Sequence, residues 1–108
     1  MGKPVEVNDK NFEDFIKKNP AVVVDCWAAW CAPCRMVGPV VEELAKDLDG
    51  KVVFGKLDVD SNRNVSSKYR IMSIPTMLYF KDGKLAGQSV GAMPKEMIMG
   101  YIQKNLKI

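Results

Sequence analysis

Val22-Val23-Val24-Asp25-Cys26-Trp27 is too continuously apolar for a sheet edge, so it predicts a strand covered on both faces. Helical spacing resumes a few residues later, and Cys31-Ala32-Pro33-Cys34 falls at the junction. A covered strand feeding a helix this directly points to a sheet flanked by helices. The junction also matters chemically. The first N–H groups of a helix and its macrodipole favour negative charge, so a thiol placed there ionises more readily. Thiols spaced i, i+3 lie on one helical face within disulfide reach, which suits the pair to thiol–disulfide exchange.

The rest of the chain predicts a regular alternation. Val5 and Val7 read as a short strand, and Asn8 or Asp9 can cap a helix with Phe12, Phe15 and Ile16 on one face. Asn19-Pro20 ends that helix. The helix after the cysteines runs from residue 31 to about 48, with Val37, Val40, Val41, Leu44 and Leu48 on its buried side. Pro39 should kink it, Gly38 loosens the same place, and Asp49-Gly50 supplies the stop. Residues 52–59 form another strand, followed by an Asp60 or Ser61 cap and a short helix holding Val65 and Tyr69. Residues 76–80 and 85–90 make a hairpin across Lys81-Asp82-Gly83-Lys84. Pro94 opens a last helix bearing Met97, Ile98, Tyr101 and Ile102. A crossover half followed by a hairpin half predicts a mixed sheet with helices on both faces, and one domain over residues 1–108.

Composition narrows the function classes. With 47% hydrophobic and 27% charged residues, the 108-residue chain can bury a core without structural disulfides or metals. A net charge of +3, spread along the chain, gives no footprint for nucleic acid or membrane. Met1-Gly2-Lys3-Pro4-Val5-Glu6 lacks the apolar run of a signal peptide, so a cytoplasmic protein is expected. Cys26, Cys31 and Cys34 are too few for a disulfide framework. Structural zinc is not expected, because the chain has no histidine and no second C-x-x-C pair.

Taken in order, these residues carry a family resemblance. The Val-Asp-x-Trp-Ala-x-Trp-Cys-x-Pro-Cys block ending at Cys34 is followed by Pro39, Lys56-Leu57-Asp58-Val59-Asp60, Ile74-Pro75-Thr76, Gly83 and Gly91. At these spacings the chain closely resembles the thioredoxin family over nearly its whole length. The resemblance implies the thioredoxin fold, an α/β architecture with a central mixed sheet of about five strands flanked by four helices. It also implies a protein-disulfide reductase that uses its own dithiol, binds no cofactor and is recycled by a separate thioredoxin reductase. Cys31 would be the exposed attacking thiolate and Cys34 the more buried resolving thiol. Asp25 would be the buried carboxylate that helps move the Cys34 proton, Lys56 its partner, and Pro75 a cis-proline facing the disulfide. An apolar rim of Trp30, Ala32, Pro33, Ile74, Gly91 and Ala92 would hold extended segments of protein substrates by main-chain bonds. A monomer is expected.

On the residues alone, other readings stand beside these. Asp25 could be a sheet carboxylate satisfied by hydrogen bonds or by Lys56, Lys56 a solvated strand lysine, and Pro75 an ordinary trans-proline. Desolvation in an apolar strand should instead raise the Asp25 pKa toward neutrality, where a general base is efficient. A thioredoxin-fold binding subunit, valued for its surface around Trp30 and Pro75, is the alternative from another class.

The chain also departs from the family. Ala32 stands where the commonest motif has glycine. That change is worth about 0.4–1 kcal/mol, or ~10–20 mV, against differences on the order of 100 mV between reducing and oxidising superfamily members. Cys26 replaces an aromatic and is expected to act as a small buried hydrophobe. Ala29 removes a charge often found near the site, and Met72 puts a soft apolar side chain near the groove.

Overall fold

Side-chain alternation along β2 (Ala21–Trp27) assigns the two faces of the sheet. Ala21 and Val23 pack with Val37, Val41 and Leu44 on one face, while Val22, Val24 and Cys26 pack with Phe12, Phe15 and Val65 on the other. The computed structural model describes residues 2–108. Its elements run β1 (Val5–Glu6), α1 (Phe12–Lys18), β2, α2 (Ala32–Asp47), β3 (Val53–Asp58), α3 (Arg63–Lys68), β4 (Thr76–Lys81), β5 (Lys84–Val90) and α4 (Lys95–Leu106). The strands form one sheet in the order β1-β3-β2-β4-β5. β1 and β2 run parallel to β3; β2–β4 and β4–β5 pair antiparallel. β2 is central, with α2 and α4 over one face and α1 and α3 over the other, as its unbroken apolar run requires.

Register carries this pattern to the site. Asp25 pairs with Lys56 of β3 and Met77 of β4. By alternation its side chain belongs to the α2/α4 face, whereas Cys26 joins the α1/α3 core. Pro39 lies inside α2 and removes one hydrogen bond of the helical ladder there. In β3, Gly55 is needed for close approach, because a Cβ there would meet the Phe15 ring at 2.9 Å. The β4–β5 turn has positive φ at both Asp82 and Gly83, as a tight hairpin between twisted strands demands.

The caps differ from expectation. The N-cap of α1 is Asn11, not Asn8 or Asp9; Asn8 starts the turn before it, its side-chain oxygen accepting from the Lys10 and Asn11 N–H groups and its carbonyl from the Phe12 N–H. Asp9 instead crosses to α3, where its carboxylate accepts from the Asn64 and Val65 N–H groups. Asp60 and Ser61 therefore do not cap α3; its N-cap is Asn62, and the negative charge at that end comes from Asp9. Pro94 is the N-cap of α4, and Met97 is exposed, leaving Ile98, Ile102 and Leu106 as the buried stripe.

α3 ends in a Schellman motif, with Ile71 N–H donating to the Ser66 carbonyl and Arg70 N–H to Ser67. Arg70 occupies the left-handed position, φ 51°, that normally falls to glycine. Arg70→Gly should relieve that strain and stabilise the fold by about 0.5–1 kcal/mol. The measurement is a rise in the urea midpoint at unchanged slope; an unchanged or lowered midpoint would show that the Arg70 side chain holds this turn.

Candidate active site

Cys31 is the N-cap of α2, in extended conformation (φ −92°, ψ 107°), with Ala32 and Pro33 opening the helix behind it. Its Sγ accepts the Cys34 backbone N–H at 3.2 Å, and its own N–H donates to the Ala28 carbonyl. Cys31 and Cys34 are joined as a disulfide with a Cα–Cα separation of 5.3 Å, so one helical turn accommodates the bond. When the bond is reduced, a thiolate at Cys31 retains a backbone donor and the positive end of the helix dipole.

The exposure of the pair corrects the sequence expectation. In the disulfide state Cys31 is 3% exposed and Cys34 5%, so both sulfurs are covered. Trp27, Val59 and Ile74 pack around them. What distinguishes the two is environment: Cys31 holds the cap position, whereas Cys34 borders the cleft that holds Asp25.

Ile74-Pro75 is a cis peptide bond, and the Ile74 carbonyl oxygen lies 3.9 Å from Cys31 Sγ. The Gly91 N–H donates to the Pro75 carbonyl at 2.8 Å, which brings residues 91 and 92 beside residues 74 and 75. Ala32, Pro33 and Ala92 are exposed, Ile74 and Gly91 half-buried, and Pro75 buried. Trp30 is 69% exposed, and its indole N–H donates to an Asp60 carboxylate oxygen at 2.8 Å. Asp60, expected to cap a helix, thus orients this tryptophan instead. Arg35 ties the same loop from the other side, its guanidinium donating to the Ala29 carbonyl at 3.0 Å. Neither contact has a signal in the sequence, because each depends on how the loop folds back.

Beneath the disulfide, Asp25 is 1% exposed and neither of its carboxylate oxygens has a hydrogen-bond partner. Burial pushes its pKa up to about 6, and the nearby Lys56 charge opposes the rise only in part. The Lys56 ammonium sits over the Trp27 ring, 5.4 Å from its centroid. Asp25, Cys34 and Lys56 line one cleft of about 430 Å³, together with Trp27, Gly38 and Glu42. On the opposite sheet face, Cys26 is buried and free, and burial together with the adjacent Asp25 charge raises its thiol pKa. Cys26 is therefore held as the unreactive thiol.

A redox pair at a helix N-cap, flanked by a cis-proline and underlain by a buried carboxylate, can be set against known proteins. A family model described as "Thioredoxin" matches residues 3–104. The chain belongs to the thioredoxin family. It is 50% identical over 106 residues to a thioredoxin of Chlorobaculum thiosulfatiphilum, covering 97% of this chain and 98% of that one. It is 49% identical over 102 residues to a thioredoxin of Staphylococcus saprophyticus, covering 94% and 97%. Among solved structures, a mutant thioredoxin from Halobacterium salinarum superposes with a TM-score of 0.90 at 30% identity, covering 99% of this chain and 94% of that chain. The fold is the thioredoxin fold, and the protein is a thiol–disulfide oxidoreductase of the reductase type. Disulfide substrates and a reductase partner follow in general terms from the family. No described helix is long and apolar enough to cross a membrane.

Proposed function

We propose that Cys31 is the attacking thiolate and Cys34 the resolving thiol of a protein-disulfide reductase, with Asp25 as the base of the second step. The Cys31 thiolate attacks one sulfur of a substrate disulfide; that S–S bond breaks, and the leaving substrate thiolate takes a proton from solvent. Cys34 then gives its proton to Asp25 and attacks Cys31 Sγ. The mixed disulfide breaks and the second substrate thiolate leaves and is protonated. The substrate gains two electrons and two protons, and the Cys31–Cys34 disulfide forms.

The observation that carries this reading is the unpartnered, buried Asp25 carboxylate on the cleft it shares with Cys34. A pKa of about 6 leaves it ionised near neutral pH, yet close enough to neutrality to accept a proton efficiently. Lys56 acts on this step through charge, since it pairs in register with Asp25 while its ammonium rests on Trp27. Substrates bind as extended segments across Trp30, Ala32, Pro33, Ile74, Gly91 and Ala92, with Pro75 shaping the floor. Met72, 92% exposed on the loop leading to Ile74, bears on which partners fit. The chain works as a monomer in the cytoplasm, as one domain over residues 1–108, on protein disulfides, and a thioredoxin reductase recycles it.

Alkylation tests the two roles. The reduced protein, treated briefly with iodoacetamide near neutral pH and mapped by mass spectrometry, should carry the label on Cys31, with Cys34 slower and Cys26 unlabelled. Labelling of Cys34 first would reverse the assignment.

A further inference from the structure

Gly38 sits in the interior of α2, where only proline is less favourable to a helix. Neither packing nor backbone requires it. A Cβ built at this position meets no atom within 4 Å, and its φ is not in the left-handed region. Cys34, Gly38 and Glu42 are spaced i, i+4, i+8, so they form one stripe along the helix, and all three line the Asp25 cleft. Because a helical Cβ tilts toward the N-terminus, a side chain at Gly38 would lean along this stripe toward Cys34 and narrow the cleft. Past Gly38, Glu42 and Lys56 also line a larger open groove of about 710 Å³ near Lys3 and Lys46. Asp25 lines the same cleft as Gly38, and both of its oxygens are buried with no protein partner. Buried carboxylate oxygens of this kind are met by water wherever water can reach them.

We propose that Gly38 is a solvent port: the missing side chain keeps open the path by which water reaches Asp25 and carries away the proton received from Cys34. This rests on the assignment of Asp25 as the base. In each turnover the Cys34 proton passes to the Asp25 carboxylate, then from the carboxylic acid to water in the cleft and out to bulk solvent. Asp25 is thereby returned to its ionised form. The charged and titratable groups facing this cleft are Lys56 from β3 and Cys34, Arg35 and Glu42 from α2. β4 brings only the uncharged Met77 opposite Asp25. None of these is altered by substitution at Gly38, so a change in Asp25 titration there reports solvent access. Gly38 is a positioning residue, acting through Asp25.

The test compares Gly38→Ala, Gly38→Val and Gly38→Leu with the native chain and with Asp25→Asn. Two quantities are followed against pH: the rate of release of the second substrate thiol, and the infrared carboxyl band of Asp25. Urea unfolding identifies the variants that fold, and Gly38→Val carries the test if leucine is not accommodated. Plugging the port with the larger side chains should raise the carboxyl midpoint by about one pH unit and slow release near pH 6 about five-fold, whereas alanine shifts it least. A merely structural role would lower the rate evenly without moving the midpoint. An unmoved midpoint in the folded large variants, with release altered in Asp25→Asn, overturns the port and leaves Asp25 as base. A native pH profile in Asp25→Asn overturns the base assignment and the port with it.

Discussion

Dithiothreitol-driven reduction of a protein disulfide should fall to the uncatalysed background in Cys31→Ser, whereas Cys34→Ser, reduced and then freed of dithiothreitol before mixing, should stall as a covalent adduct with its substrate. The two outcomes differ because the sulfurs enter at different steps. Without Cys31 no thiolate stands at the helix N-cap, and a serine hydroxyl cannot exchange with a disulfide at neutral pH. Without Cys34 the first exchange proceeds and the mixed disulfide has no internal nucleophile to break it. The first loss cannot be attributed to unfolding. Serine is among the preferred N-cap residues, and its oxygen can take the Cys34 N–H now received by Cys31 Sγ. Gel shift under non-reducing conditions and intact mass measure the adduct. A thioredoxin-shaped binding module would behave otherwise, since replacing both cysteines with serine would leave its partner binding intact. Full catalysis by Cys31→Ser would remove the dithiol chemistry altogether.

What the sequence disclosed, and what it hid, divides along the range of the interaction. The covered strand ending at Trp27, the helix from Ala32 to Asp47 and the Asp82-Gly83 hairpin rest on local pattern, and each lies within a residue or so of where the pattern placed it. The alternation that sends Val23 and Val22 to opposite faces likewise predicts that Asp25 and Cys26 diverge. Long-range contacts were not legible. Asp9 resembles a cap for the helix that follows it, yet it serves α3, far along the chain. Asp60 resembles a cap for α3, yet it holds Trp30. The thioredoxin resemblance implies an exposed nucleophile at Cys31. Its actual cover comes from Trp27, Val59 and Ile74, on three separate segments. The cleft beneath it arises from how α2 docks on β2 and β3, and only then does an ordinary mid-helix glycine become informative. The redox pair was therefore readable from spacing and the raised Asp25 pKa from its apolar strand, whereas the cleft that joins Asp25 to Cys34 and Lys56 required three-dimensional docking.

Asp25→Asn should make the protein more stable and slower at once. The buried carboxyl has a folded pKa of about 6 against an ordinary value of 3.8. Below the lower value both folded and unfolded chains hold the proton, and the group imposes no penalty. As pH rises between the two, the unfolded chain ionises first, so stability falls; above the folded value the loss is complete and constant. At ~1.36 kcal/mol per pH unit this separation amounts to about 3 kcal/mol. Asparagine removes the charge while keeping the shape, at the cost of a buried amide that the cleft can hydrate. Urea unfolding should therefore show Asp25→Asn gaining about 2–3 kcal/mol near pH 8 and almost nothing near pH 3.5. The native chain's decline across that window should be largely absent from the variant. Over the same range, release of the second substrate thiol should slow and lose its dependence on a group titrating near 6. Gain and loss share one cause: a carboxylate held without partners in an apolar sheet is a poor structural element and a well-tuned base. If Asp25→Asn gained stability but kept the native release rate near neutral pH, the carboxylate would be a burden with no part in the exchange. If release slowed while stability stayed flat with pH, Asp25 would act on Cys34 without the desolvation that its burial implies.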